Sequence, residues 1–473
     1  MNICIRLLIS LVTLGTLASC ASPGTGVTPR TMTFTPLKFE IPKSQRAVLN
    51  NGMVVYMLED HELPLVNMTA YINVGSIYEP AEKAGLAGVT GGVMRSGGTR
   101  TTPPEKLDAE LEFMASAIES SIGAESGNVS LATLAKNLDR TMEMFSQVLK
   151  SPDFREDRIK LALNKTVEAL RRQNDDPKGV ADRELTKALY AGHPLGRVPT
   201  IDSVKRITRA DLQEFHRRYY HPGNIVLAVS GDFRKDELLA RLDKLFGGWK
   251  NEPVDFPRVG APAAEAKPEI LFVRKEVSQS VIRMGEMGID KNSPDLHALR
   301  VLDYILGGGF TSRLVQEVRS NQGLAYNVDS TVDVGRRFTG TILAETETKS
   351  GSTVKAIALI REIIAGVTTA PVTEQELALA KEYMINSFIF GFTKPDVIVN
   401  QQARLEFFGY PAGYLENYRD NISRVTREDL LRVARKYLHP DRMILMVVGD
   451  DQKFDQPLTS LGPVREIKLE NGK

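Results

Sequence analysis

Thiols are almost absent: only Cys4 and Cys20 of 473 residues carry one, and both fall in the first twenty positions. That removes a disulfide framework, and any zinc site built on paired thiolates, from the folded part of the chain. Charge bias is lacking too. Sixty Lys+Arg face 59 Asp+Glu, a net charge of +1, so no overall field favours nucleic acid or an anionic membrane surface. The apolar run Leu7 to Leu14 is too short to span a bilayer. No Gly-x-x-x-x-Gly-Lys-Ser/Thr phosphate loop occurs. Ser96 and Ser312 lie in glycine-rich surroundings, but neither stands in Gly-x-Ser-x-Gly, which argues against a serine hydrolase. What is present, 42% hydrophobic and 25% charged residues with 37 Gly and 24 Pro, is the composition of an ordinary folded protein. Its length suggests two large units or about three smaller ones.

The amino terminus has the order of a secretory signal: one cation, Arg6, then Leu7-Leu8-Ile9-Ser10-Leu11-Val12-Thr13-Leu14, then small residues. Its ending, Leu17-Ala18-Ser19-Cys20, resembles the bacterial lipobox, in which the cysteine is lipidated and becomes the first mature residue. Residues 1–19 are therefore read as a lipoprotein signal peptide and 20–40 as a tether, since Ala21-Ser22-Pro23-Gly24-Thr25-Gly26 is small and turn-forming. The implied location is the cell envelope. By the same resemblance, Ala21 after the cysteine favours a lipid anchor in the outer membrane, facing the periplasm.

The rest of the chain repeats itself. Thr208, Asp211 and His221 recur as Thr426, Asp429 and His439, all at one offset of 218. In each copy a Thr followed three residues later by Asp opens a helix as a capping signature. A His-Pro step stops the helix, and an apolar run, Ile225 to Val229 or Met443 to Val448, suits a buried strand before Gly-Asp. Near the start, Asn50-Asn51-Gly52 between apolar runs predicts a hairpin, and 66–74 alternates as a third strand. Helical stretches are expected at 104–120, 136–150 and 155–174. The pattern predicts an α+β protein of two homologous halves, each a largely antiparallel sheet with helices packed on one face. The halves are placed at 41–250 and 269–458, joined by a proline-rich linker at 251–268 and followed by a tail at 459–473.

Several short motifs converge on one family. Gly75-Ser76-Ile77-Tyr78-Glu79, then Gly85-Leu86-Ala87, then Gly98-Thr99, resemble the frame of the pitrilysin-type zinc peptidases, the inverzincins. The resemblance covers nearly all of 41–450. In that family a His-x-x-Glu-His helix follows the frame: two imidazoles one turn apart hold zinc, and the glutamate activates the metal-bound water. Here the same stretch reads Gly88-Val89-Thr90-Gly91-Gly92, and glycine can do neither. The family's downstream ligand, anchored by Asp175-Asp176-Pro177, falls on Ala169. A slip of one residue would make it Glu168, a leftover carboxylate. The six histidines, His61, His193, His216, His221, His297 and His439, offer no pair at helical ligand spacing. His221 and His439, recurring at a helix stop, read as structural. No metal cofactor is therefore expected on this chain, and no catalytic residue.

The second half keeps what the first has lost. Leu306-Gly307-Gly308-Gly309-Phe310-Thr311-Ser312-Arg313-Leu314 precedes Glu317-Val318-Arg319 and Gly323-Leu324-Ala325-Tyr326. In the family, an Arg and a Tyr at these positions bind substrate. The resemblance thus implies that Arg319 and Tyr326 contact a peptide and that zinc is brought by a partner chain, a zinc-bearing pitrilysin-type subunit. The expected function is that of the non-zinc-binding subunit of a two-chain metallopeptidase degrading peptides or proteins in the envelope. The alternative is an inert structural or assembly protein with the peptidase fold. Nucleic acid is not an expected partner.

Overall fold

The alternating and continuous apolar runs become strands, and the strands assemble into two six-stranded sheets. The computed structural model describes residues 39–264 and 266–469; the signal segment, Cys20 and nearly all of the tether lie outside the described residues. The first half contributes strands β1 (Gln45–Val48), β2 (Val54–Glu59), β3 (Leu65–Ile72), β4 (Ala117–Ile122), β5 (Gly127–Leu134) and β6 (Ile225–Gly231). Its helices are α1 (Leu86–Ser96), α2 (Pro104–Phe113), α3 (Leu138–Lys150), α4 (Glu156–Arg172), α5 (Pro177–Leu189), α6 (Ile201–Lys205), α7 (Arg209–Tyr219) and α8 (Lys235–Phe246). The second half contributes β7 (Ile270–Arg274), β8 (Gln279–Met287), β9 (Ala325–Asp333), β10 (Thr341–Lys349), β11 (Ile444–Gly449) and β12 (Val464–Glu466). Its helices are α9 (Leu296–Asp303), α10 (Thr353–Thr369), α11 (Glu374–Ser387), α12 (Pro395–Phe407), α13 (Tyr418–Arg424) and α14 (Arg427–Tyr437), with π-helical stretches at Tyr304–Gly308 and Val315–Asn321.

The sheet orders are β1-β2-β6-β3-β5-β4 and β12-β7-β11-β8-β10-β9. Only β2–β6 runs parallel in the first; β7 is parallel to both β11 and β12 in the second. Each half is thus the largely antiparallel α+β layer that the sequence predicts. The repeated helices α7 and α14 open with the predicted caps: Thr208 and Asp211, like Thr426 and Asp429, exchange side-chain and backbone hydrogen bonds, an arrangement worth about 1 kcal/mol. Their apolar stripes, Leu212, Phe215 and Tyr219 on one, Leu430, Val433 and Ala434 on the other, enter the two main cores.

Two expectations need correction. Helix α2 ends at Phe113 rather than running to 120. Ala115 takes a left-handed φ of 48°, and Ala117–Ile122 alternates between buried and open sides as the edge strand β4. Nor do helices cover only one face of each sheet. Val180, Ala181, Leu185 and Leu189 of α5 pack on Leu271, Val273, Val281 and Met446 of the second sheet. Val399 and Ala403 of α12 pack on Val226 and Ala228 of the first. Both ends of α5 and α12 are separated by 218 residues, the offset of the repeat, so each half lends the equivalent helix to the other. The cause lies in β6 and β11, which are apolar on both sides and need a second layer to be removed from water. Each buried Val or Leu there contributes about 1.5–3 kcal/mol. Polar clasps flank α12: the Glu406 carboxylate accepts from Arg46 at 2.7 and 2.8 Å and from Tyr56 at 2.5 Å.

Candidate functional site

Helix α1 forms despite its three glycines, and its N-terminus explains how. Gly85 enters at φ 103° and offers no side-chain cap, so Glu79 supplies one: its carboxylate accepts from the amides of Gly85 (2.9 Å) and Ala87 (2.8 Å). Arg197 in turn donates to the Glu79 carbonyl at 2.8 Å. Burial pushes the Glu79 carboxyl up, and the two amides pull it back. Leu86, Val89, Val93 and Met94 then anchor the helix in the core.

The glycines of α1 are not equivalent. Gly88 and Gly92, one turn apart, face open space; a Cβ on either would meet nothing within 4 Å. Gly91 is pressed onto the edge strand β4, where a Cβ would lie 2.4 Å from Ile122 N and 2.7 Å from the Ser121 carbonyl carbon. The approach is held by Ser120, which donates to the Gly91 carbonyl (2.6 Å) and accepts from the Arg95 amide (3.2 Å). Room for a side chain thus exists at 88 and 92 and not at 91.

Helix α4 packs across α1. Ala169 and Glu168 are exposed on it, and Glu168 is engaged by Arg171 at 2.5 Å. Elsewhere five of the six histidines have a side-chain hydrogen-bond partner. His61 lies 2.7 Å from Asp232, His193 3.0 Å from the Gly260 carbonyl, His297 3.0 Å from Asn421 and His439 2.8 Å from Glu286. His216, at 2.8 Å from the Leu149 carbonyl, is lowered to about 4 by burial. Among the described residues no group of three or more His, Cys, Asp or Glu side chains could hold a metal ion. Glycines, an alanine and one ion-paired carboxylate do not fit a catalytic zinc.

In the second half, Arg319 and Tyr326 do come together. The Arg319 guanidinium stands 4.8 Å from the Tyr326 ring centroid and 5.5 Å from that of Phe310, a three-layer stack on the surface. Tyr326 is 83% and Phe310 76% exposed; neither is an interior aromatic finding a carbonyl. The local backbone is built to present them. Past Asp303 the helix widens into a π turn, a form found often at functional sites. Gly307 passes so close to β9 that a Cβ would meet Ser330 N at 2.2 Å. Ser330 donates to the Asp303 carboxylate at 2.6 Å, and burial holds that carboxyl up at about 6. Arg313 is fixed by a two-pronged contact with Glu376 (2.7 and 3.0 Å). The second π stretch carries Arg319.

A bulge sets Tyr326. The register of β10 on β9 shifts between Thr346 and Thr348, and these threonines donate to the carbonyls of Asn327 (2.7 Å) and Leu324 (2.6 Å). Ala325 and Val328 both point into the core, so Tyr326 and Asn327 are both left outside. A stack of this kind holds the guanidinium by about 0.5–1 kcal/mol at an exposed site while its N–H groups remain able to donate to a carbonyl. Phe310, the outer layer, was not singled out from sequence; a large aromatic directly after three glycines was the available signal.

Comparisons with known proteins bear on the family and the fold. Residues 54–200 match the family model described as Insulinase (Peptidase family M16), and 206–384 match the model described as Peptidase M16 inactive domain. An uncharacterized zinc protease of Mycobacterium leprae is 27% identical over 406 residues, covering 83% of this chain and 89% of that one. A non-peptidase homolog of Helicobacter pylori is 22% identical over 400 residues, covering 84% and 91%. Among solved structures, a peptidase M16 inactive domain from Pseudomonas fluorescens superposes with a TM-score of 0.78 at 25% identity, covering 86% and 98%. A Helicobacter pylori protease shares the fold at a TM-score of 0.78 and 20% identity, covering 87% and 100%.

Proposed function

Because this chain is built of peptidase M16 family domains, we propose that it is a non-zinc subunit of a two-chain metallopeptidase, gripping peptide through Arg319 and Tyr326 while a separate zinc-bearing chain supplies the metal and the general base. One observation supports the reading: helix α1 carries glycine at 88, 91 and 92, while the Arg319 guanidinium lies against the exposed rings of Tyr326 and Phe310. A guanidinium and a phenol hydroxyl donate to a peptide carbonyl and to the oxyanion that forms when water adds to it. Such a pair accelerates hydrolysis only beside a reaction centre, and among the described residues no group could hold a metal ion. The signal segment at 1–19, followed by Cys20, extends the proposal to a lipid-anchored protein of the envelope, facing the periplasm from the outer membrane.

The test is reconstitution. Mixing the chain with a His-x-x-Glu-His subunit of the same family is expected to create chelator-sensitive peptidase activity that neither chain has alone. Arg319→Ala combined with Tyr326→Phe should lower it by about 10- to 1000-fold. Unchanged turnover in the double variant removes the substrate role. The name of the Helicobacter pylori relative, a non-peptidase homolog, favours a second reading, an inert assembly or binding protein; that reading expects a stable complex with no turnover under any pairing. Loss of membrane association in Cys20→Ala tests the anchor separately.

A further inference from the structure

Where the two halves are compared corner by corner, one place differs in kind. At the offset of 218, Asp429, Asn421 and Arg424 of the second half correspond to Asp211, Ser203 and Arg206 of the first. In the first half this corner is closed. Lys83 pairs with Asp211 at 2.5 Å, and Ser203 donates to the Ala84 carbonyl at 2.8 Å. In the second half it opens as a cleft of about 440 Å³ between the first turn of α9, the loop at 411–417, and helices α13 and α14.

The cleft has a defined chemistry. Its cations are Lys291, Arg424 and Arg432, against one lining carboxylate, Asp429. Arg432 is committed to Asp295 at 2.7 Å, and Lys291 donates to the Arg336 carbonyl at 2.7 Å. Arg424, exposed at the end of α13, has no carboxylate partner among the described residues. His297 lies between Tyr414 and Tyr418, at 6.5 and 5.9 Å between ring centroids. Asn421 donates from Nδ2 to His297 Nε2 at 3.0 Å, which leaves the ring proton on Nδ1. That Nδ1 is buried and meets no acceptor among the described residues. Desolvation, with Arg300 nearby, pushes the ring's pKa down. Gly413, at φ 74°, lets the loop turn against Asn417, whose Nδ2 would sit 2.8 Å from a Cβ there. The wall is therefore shaped by a residue that no side chain replaces without strain.

Arg424 and His297 both line this cleft, and an uncommitted guanidinium beside a side chain with an unsatisfied donor calls for an anionic oxygen acceptor. We propose that this cleft binds a small molecule through a carboxylate or phosphate group, received by Arg424 and the Nδ1–H of His297. The site is separate from the Arg319–Tyr326 stack and does not depend on the peptidase reading.

Isothermal titration of the full chain with inorganic phosphate and, separately, with N-acetylglycine tests it. Saturable one-to-one binding of phosphate supports a phosphate ligand, and binding of N-acetylglycine alone a carboxylate ligand. In either case Arg424→Gln, an exposed and structurally mild change, weakens binding about tenfold or more, His297→Leu weakens it further, and Arg319→Ala leaves it unaltered. Absence of saturable binding with both titrants, undiminished binding in Arg424→Gln, or loss of binding in Arg319→Ala overturns the proposal.

Discussion

The three glycines of α1 share a helix and differ in what faces them, so replacing each with alanine separates helix propensity from packing. At Gly88 and Gly92 a Cβ meets nothing within 4 Å. Alanine there gains the ordinary helix preference of about 0.8–1 kcal/mol per site, or roughly 2–4 °C in midpoint for a unit of this size. At Gly91 the new Cβ lies 2.4 Å from Ile122 N and 2.7 Å from the Ser121 carbonyl carbon, both backbone, where ordinary contact begins at 3.4 Å. Helix α1 must withdraw from β4 by roughly 1 Å, which loosens the hydrogen bonds of Ser120 to the Gly91 carbonyl and the Arg95 amide. Overpacking costs about 1–3 kcal/mol and a weakened hydrogen bond about 0.5–1.5 kcal/mol; less the propensity gain, the net loss is about 1–3 kcal/mol. Urea and thermal unfolding followed by circular dichroism should therefore place Gly88→Ala and Gly92→Ala above the parent and Gly91→Ala below it. A Gly91→Ala protein as stable as the parent would refute the close-packing argument. It would also remove the reason for holding that a glutamate cannot be put back at 91.

Other outcomes follow from single side chains. Asp295 is buried and takes Arg432 at 2.7 Å, Lys436 at 2.8 Å and the Tyr437 hydroxyl at 2.7 Å; although burial pushes its carboxyl up, these donors bring it down to about 2 from an ordinary 3.8. The folded state thus holds this proton less tightly than the unfolded chain, so the contribution, on the order of 2 kcal/mol, is complete above the unfolded value. It is lost as pH falls from about 4 towards 2. Unfolding midpoints measured from pH 6 to 2 should drop steeply in the parent, and less so in Asp295→Asn, which starts lower. Ala115, exposed at φ 48°, pays the left-handed penalty of a Cβ, so Ala115→Gly should raise stability by about 1 kcal/mol, read as a higher urea midpoint at unchanged slope.

Much of the fold could be read from spacing because the same spacing occurs twice. Thr208 with Asp211 and Thr426 with Asp429 are local signals, complete within one helical turn, and they form as expected. The uninterrupted apolar runs of β6 and β11 announced burial on both faces, but not what would cover the second face. The answer, α5 and α12 exchanged between halves, depends on contacts more than eighty residues apart that no local pattern encodes. Ala115 shows the opposite limit: helix 104–120 looked continuous because alanine favours helix, and tertiary pairing of Ala117–Ile122 with β5 overrode that preference. At the candidate site, the glycines at 88 and 92 were plain in the sequence. The closed approach of Gly91 was not, since glycine reads the same whether it faces solvent or a strand.

That difference separates inheritance of a shape from inheritance of a reaction. Gly91 and Gly307 do the same work in the two halves: each lets a helix touch the edge strand of its own sheet, Gly91 at Ile122 N and Gly307 at Ser330 N. Such positions are set by backbone distance and hold whatever chemistry surrounds them. The neighbouring positions carry no such duty and have diverged. Tyr304, three residues before Gly307, stacks on Tyr383 of α11 with ring centroids 4.7 Å apart; Gly88, three before Gly91, has nothing beside it. One half has filled the gap between its two helices with aromatic rings, and the other has left it bare. Helix α1 thus keeps its packing on β4 through Gly91 while the space beside Gly88 and Gly92 stays open. Phe310 and Tyr326 stand exposed beside Arg319 with no comparable packing role, which is the ground on which peptide binding is proposed for them.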